Sequence, residues 1–416
     1  MQSQRNRSIL ILGLLFFIFG FITWLGSVLI PYLRIACQLN NFASYLVAFS
    51  FYIAYMLMAL PAAGVLRMTG YRRGMALGLL IMAVGSCLFI PAAFLRSYPL
   101  FLTGLFIQGS GLALLQTASN PYVAIIGPLE TAARRIGIMG VCNGIAGVVA
   151  PLILGAVVLK DADSLKVAIA RSSPAVRTQL LQHLANRVVM PYGLILLALL
   201  AISLLVYFSR LPEPGVGPSD EPAEGVISER ASIFQYPYLL LGAFTLFLYV
   251  GVEVISGDTI ISYGSSQGIP LASARFFTSA TLSCMLLGYL LGIVLIPKYL
   301  SQTSVLKFSG LLGIALVCLA LSTRGYLSVA FIALLGLANA MVWPSIWPLA
   351  IRGLGKFTPL GASLLIVAVG GGAFLPLAYG RLADVVSPHL AYLLLLPCYA
   401  CIWYYATAGH KIGLAI

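Results

Sequence analysis

Charge is scarce in this chain. Only 8% of its 416 residues are Asp, Glu, Lys or Arg, whereas a soluble domain carries about a quarter because its surface must face water. That scarcity excludes a water-solvated globule, and a 61% hydrophobic composition with a mean hydropathy of +1.01 points to a surface that faces lipid. Acid is scarcer than base: 11 Asp and Glu stand against 24 Lys and Arg, a formal net charge of +13. In a soluble protein this excess would suggest nucleic acid. Here the basic residues form short clusters between apolar runs, as loop anchors do, so nucleic acid is not an expected partner. The three His (His183, His389 and His410) fall in loops or near the ends of apolar runs, and none makes a good proton relay. Of the seven cysteines, Cys398 and Cys401 form a CxxC inside an apolar run, without a second pair or a nearby His. Packing explains them better than metal or redox chemistry. The chain shows no nucleophile–base arrangement, no metal-ligand cluster and no phosphate-binding glycine loop. Neither enzymatic chemistry nor a cofactor or metal is expected.

What is present is a series of apolar runs near the ~20 residues that cross a bilayer. We place them at roughly 9–33, 43–66, 74–95, 99–125, 137–159, 190–209, 236–262, 272–297, 304–322, 326–351, 361–382 and 388–409, and call them spans 1 to 12. Arg5 and Arg7 precede an uninterrupted first run, which reads as a retained helix and not as a cleaved signal. Two charged stretches, about 160–188 and 210–232, read as extramembrane loops. The second separates the spans six and six, giving an N-terminal half over 1–210, a linker over 211–232 and a C-terminal half over 233–416. Short loops on the side of the termini hold most of the Lys and Arg, including Arg67, Arg72, Arg73, Arg134, Arg135, Lys298, Lys307, Arg352 and Lys356. By the positive-inside rule both termini and the linker face the cytoplasm.

The halves resemble each other. Gly26-Ser27-Val28-Leu29-Ile30-Pro31-Tyr32 matches Gly257-Asp258-Thr259-Ile260-Ile261-Ser262-Tyr263. Phe42-Ala43-Ser44 matches Leu271-Ala272-Ser273, and Gly147, Pro151, Leu152 and Gly155 recur as Gly372, Pro376, Leu377 and Gly380. The offsets, 231, 229 and 225 residues, are nearly constant. An all-α integral membrane protein of twelve helices in two pseudo-symmetric halves follows. Such a parallel repeat resembles the major facilitator fold, whose solute site lies between the halves near the midplane.

Polar groups in hydrocarbon cost free energy, so each one within a span is a functional candidate. Of the acids, Asp384 sits at a helix end three residues from Arg381, where an i,i+3 pair would explain both. Two remain deep in span 7, Glu253 and Asp258. Glu253, near mid-membrane, is suited to carry a proton between faces, to hold Na⁺ or to accept hydrogen bonds from a sugar; Asp258, nearer the outer end, is a second cation-coupling candidate or a gate. At about 100° per residue the two point about 140° apart and do not share a site. Span 4 carries Gln108, Gln116, Asn120 and Pro121, and span 10 carries Asn339, Trp343, Pro344 and Trp347. The proline match pairs Gln116 with Asn339, and both helices are expected to kink at their prolines. Asn143 lies among Gly140, Gly144 and Gly147, which suit close helix packing. Sugars offer hydroxyls to amides and carboxylates and C–H faces to aromatic rings. Trp24, Ser27, Gln116, Asn120, Asn143, Asn339, Trp343 and Trp347 are therefore the candidate substrate-binding residues, although belting or packing would also account for the tryptophans.

With these residues in view, the chain resembles the fucose/galactose/glucose:cation symporter family of the major facilitator superfamily, over nearly its whole length. The resemblance is sharpest in QTASNPYVAIIGPLETAARR (116–135), YVGVEVISGDTIISYGSSQG (249–268) and WPSIWPLAIRGLGKFT (343–358), and it points to the glucose/galactose branch. The fucose:proton members carry an Asp and a Glu where Ser27 and Gln116 stand here, so neither of these can carry a proton. Glu253 matches the Glu of the branch's span 7 element. The branch resembles this chain less at Gly26 and Gly144, where it prefers Asn and Lys. Those two departures make N-acetylglucosamine and related amino sugars candidates beside glucose and galactose. The loop GVLRMTGYRRG (64–74) is a degenerate form of the superfamily's Gly/Asp/Arg-rich loop without its Asp. The resemblance implies import of a hexose or hexose derivative by alternating access, coupled to H⁺ or Na⁺, across a bacterial inner membrane; a monomer is the default expectation. An uncoupled sugar uniporter, or a superfamily transporter of a non-sugar solute, is the alternative.

Overall fold

The computed structural model describes residues 2–125, 132–209, 211, 232–296 and 299–413, so most of the expected linker lies outside the described residues. Among the described residues every regular element is a helix. Eleven helices are long and apolar enough to cross a membrane, and the shorter apolar helix Leu46–Ala59 supplies the twelfth crossing. Spans 2 and 3 form one helical stretch, Leu46–Leu95, that reverses at Gly70 (φ 75°, ψ 175°). That backbone conformation is open to glycine and strained for any residue with a Cβ.

The stretch read as a loop between spans 5 and 6 is not one. It forms two short helices, Ala162–Arg171 and Pro174–Asn186, on the face opposite the termini, here called the far face. Pro174 sits at the first turn of the second, where its missing N–H leaves no bond unmade. Tyr32, fully buried at the outer end of span 1, donates to the carbonyls of Leu184 and Ala185 at 2.9 and 2.7 Å and ties this helix pair to the bundle.

Several spans are discontinuous. Span 1 is Gln2–Trp24 followed by Gly26–Ala36, and span 7 is Pro237–Asp258 followed by Ile260–Ser266. Span 10 breaks between Asn339 and Val342, just before Pro344. Span 4 does not share that break: Tyr98–Ile125 is one helix that runs through Pro121. Spans 1 and 7 thus interrupt at comparable depth in the two halves, and broken helices are where membrane transporters expose backbone to their cargo.

The halves are joined at the far face. Asp384 of span 11 accepts from the backbone N–H of Asn41 (3.0 Å), from that residue's side-chain amide (2.8 Å) and from the N–H of Phe42 (2.8 Å). The carboxylate therefore caps the start of the helix leading into span 2 and does not form the expected pair with Arg381. On the other side of the seam Asp163 of the first half accepts from the N–H of Ala272, at the start of the helix leading into span 8 (3.1 Å). Each half thus closes on the other through a carboxylate at a helix N-terminus, where exposed N–H groups and the helix dipole favour negative charge. A deeper bond, Ser279 Oγ to the Val148 carbonyl at 2.8 Å, joins spans 8 and 5.

Along span 5 the packing loosens toward the face of the termini. A Cβ on Gly147 would meet Trp24 at 2.8 Å and one on Gly144 would meet Leu286 at 3.0 Å, but one on Gly140 would meet nothing within 4 Å. Two of these three glycines pack as expected and the third borders open space. The arrangement is closed at the far face.

Candidate functional site

The seam between spans 1 and 7 holds a buried carboxyl, that of Asp258. The indole of Trp24, 7% exposed, lies across the bare backbone of Gly257; a Cβ there would stand 2.3 Å from ring atom Cζ3. Its other edge rests on Gly147. Val148, Leu282, Met285, Tyr289, Ala340 and Met341 complete the pocket around it. Trp24 is thus a plug from the first half seated mostly in the second.

Two residues after Trp24, Gly26 faces Asp258. A Cβ on Gly26 would be 3.3 Å from Oδ2 of Asp258. The carboxyl is 1% exposed, and its Oδ1 has no hydrogen-bond partner. A cavity of about 10 Å³ lies against it, lined by Thr23, Gly26, Tyr52, Gln108 and Asp258 among others. That is space for about one water molecule. Gln108 is committed to the first half, where its Nε2 lies 2.6 Å from Ser86 Oγ. An ionised carboxyl without a partner in such a place costs several kcal/mol. Asp258 is therefore a group that this arrangement can enclose cheaply only when it is neutralised.

Ser27 is fully buried and donates to the Trp24 carbonyl at 2.8 Å. Its hydroxyl satisfies the backbone at the break in span 1 and is not open to a solute in this arrangement.

Glu253 lies on the same helix as Asp258 and points elsewhere. It is partly exposed, within hydrogen-bonding reach of Tyr249 one turn earlier, and Tyr52, Tyr289 and Tyr399 stand within electrostatic range. Phenols from both halves thus lie near a partly exposed carboxyl. Tyr52 lies near both acids, and nothing in its sequence context sets it apart from the other tyrosines of span 2. Only the fold reveals its place.

Asn339 is 0% exposed and its amide is fully engaged. Nδ2 donates to Ser256 Oγ at 3.1 Å, and Oδ1 accepts from the Tyr399 hydroxyl at 2.8 Å. The network ties spans 7, 10 and 12 together inside the second half. Its repeat partner Gln116 is instead partly exposed, as is Asn143, and Asn120 is exposed. The two amides that the internal repeat pairs therefore stand in unlike surroundings. Trp343 and Trp347, one turn apart, stack with ring centroids 5.6 Å apart at 26°, and both are partly exposed. The structure thus gathers Trp24, Ser27 and Asp258 at one closed seam. It leaves Glu253, Gln116, Asn120, Asn143, Trp343 and Trp347 accessible, and Asn339 interior.

Residues 12–359 match the model of the Major Facilitator Superfamily. The chain belongs to this superfamily. It is 37% identical, over 99% of its length and 96% of the relative's, to the glucose/galactose transporter of Brucella abortus biovar 1 (strain 9-941). To the L-fucose-proton symporter of Escherichia coli (strain K12) it is 27% identical, over 97% of its length and 94% of the relative's. Its structure is similar to the crystal structure of FucP, a Major Facilitator Superfamily transporter in the outward conformation, with a TM-score of 0.72 at 25% identity over 97% of this chain and 98% of that one. The resemblance read from the sequence motifs thus extends over the whole chain. As a member of the superfamily it is a multi-pass membrane transporter and not an enzyme, and it stands among relatives named for sugars.

Proposed function

We propose that the protein imports a hexose or hexose derivative by alternating access and couples each turnover to a proton carried by Asp258. The observation that carries the coupling is the carboxyl of Asp258, buried at the seam between the halves with Oδ1 unpartnered and Oδ2 against Gly26. Parting spans 1 and 7 at the far face lets water reach it, and closing them over it is cheap only when it holds a proton. The relative named for L-fucose-proton symport supports H⁺ over Na⁺ as the coupling ion.

Glu253 and the accessible amides Gln116, Asn120 and Asn143 supply hydroxyl-binding groups, and the Trp343–Trp347 stack supplies an aromatic face. The relatives named for glucose, galactose and fucose support a hexose as the cargo. The basic loops on the side of the termini support a cytoplasmic location for that side, and the bacterial relatives support an inner-membrane location. Counterflow into proteoliposomes preloaded with unlabelled sugar tests the substrate class, since it needs no driving ion. Labelled glucose, galactose or N-acetylglucosamine should enter transiently above equilibrium, and failure of all three would remove the hexose assignment.

A further inference from the structure

A second cavity, about 410 Å³ in volume, opens at the far face between the halves. On one side stand Arg34, at the outer end of span 1, and Lys166, on the helix Ala162–Arg171. On the other stand Ser262, Ser265 and Ser266, at the outer end of span 7. Both cations are half-buried. The ion pair found among the described residues joins Arg187 to Asp161 at 3.7 Å and involves neither of them. Asp163, the acid that acts on Lys166, has Oδ2 committed to the N–H of Ala272. Among the described residues Lys166 donates to the Ser265 hydroxyl, 3.5 Å from its Nζ.

Electrostatics shows the same deficit. Burial holds the pKa of Lys166 below the ordinary lysine range; Asp163 opposes that shift and the Arg34 guanidinium adds to it. Ser262 is 9% exposed and lines the cavity; its hydroxyl makes no close hydrogen bond, although the Tyr45 phenol lies within reach of it. Two cations and a row of hydroxyls converge on a space that holds no carboxylate of its own among its lining residues. Like charges in a partly desolvated cavity repel unless an anion lies between them.

We infer that this vestibule binds a monosaccharide-sized oxyanion, a sugar acid or sugar phosphate, with its charge between Arg34 and Lys166 and its hydroxyls on the serines. The volume lies in the ~300–1,000 Å³ range of small-molecule sites. The cations belong to the first half and the serines to the second. An occupant therefore ties the halves together and favours the arrangement closed at the far face. This site is separate from the Asp258 seam, and the inference does not depend on which sugar is transported.

The test is calorimetric titration of the purified full-length protein at low ionic strength with glucuronate, glucose 6-phosphate, inorganic phosphate and glucose. The two sugar oxyanions should bind more tightly than inorganic phosphate, and their binding should weaken with added salt. Arg34→Gln and Lys166→Gln should each weaken it at least tenfold and leave any glucose binding unchanged. Ser265→Ala, which keeps both charges, should weaken sugar oxyanions several-fold and serves where a charge variant fails to fold. No binding of either sugar oxyanion, or affinities unchanged in these variants, would overturn the inference.

Discussion

Gly26 and Asp258 meet across the seam of the two halves, with Oδ2 of the acid 3.3 Å from where a Cβ on the glycine would stand. In the internal repeat Gly26 aligns with Gly257, and Asp258 with Ser27. Gly26 thus touches the residue next to its own repeat partner, and such contacts occur only close to the two-fold axis. The contact therefore places Asp258 near the line about which the halves rock, where a small rotation changes what covers the carboxyl.

The same seam predicts the effect of a single methyl group. Gly257→Ala puts a carbon 2.3 Å from the Trp24 ring, which must move for the far face to close. Overpacking of this kind costs about 1–3 kcal/mol, and the closed arrangement alone bears it. Uptake should fall by roughly tenfold or more, and Trp24→Leu in the same protein should restore part of it. Unchanged uptake in Gly257→Ala would show that Trp24 does not seat there during transport.

The carboxylate of Asp384 holds the start of the helix before span 2 through three hydrogen bonds. Asp384→Ala removes bonds to a charged group, at about 1–3 kcal/mol. The far face should then open more often. A reporter at Ser44→Cys, a site 1% exposed behind the latch, should react with an impermeant maleimide roughly 5- to 100-fold faster, with Cys37 replaced by Ser to remove its signal. An unchanged labelling rate would deny the latch its role.

Asn339 joins Tyr399 to Ser256 in a buried network. Asn339→Ala leaves the Tyr399 hydroxyl without its acceptor, at a cost of about 1–3 kcal/mol, while the Ser256 hydroxyl still donates to the Glu253 carbonyl. We expect a lower apparent melting temperature with little change in the half-saturating sugar concentration. The reverse result would place Asn339 in the binding site after all.

Glu253 is accessible and ringed by phenols. As an acceptor for sugar hydroxyls it contributes hydrogen bonds of about 1.5–3 kcal/mol. Glu253→Gln should raise the half-saturating concentration about 10- to 100-fold while leaving uphill accumulation possible at saturating sugar. Loss of accumulation at unchanged affinity would move the coupling to Glu253.

The spans were legible in the sequence because hydropathy is a local property: each crossing carries its own apolar run. The repeat was legible because three matched segments kept their spacing. The far-face helices of 162–186 were not, since short amphipathic helices rich in charge read as a loop when only apolar length is counted. Sequence proximity pairs Asp384 with Arg381, whereas its partners lie more than 340 residues away. The amides show the same limit. Gln116 and Asn339 align in the repeat, yet Asn339 is sealed by Tyr399, a partner 60 residues on that no local pattern announces. Composition and repeat located the polar residues; only packing separates those that face a solute from those that hold helices together.

The central claim is that Asp258 carries the coupling proton, and uptake into proteoliposomes under separately imposed pH and Na⁺ gradients tests it most directly. With the transported hexose, the native protein should accumulate label above equilibrium under an inward proton gradient. Asp258→Asn, which keeps the shape of the side chain, should equilibrate and exchange the sugar without concentrating it. Accumulation by Asp258→Asn equal to that of the native protein, or a native protein that equilibrates under every gradient, would contradict the account.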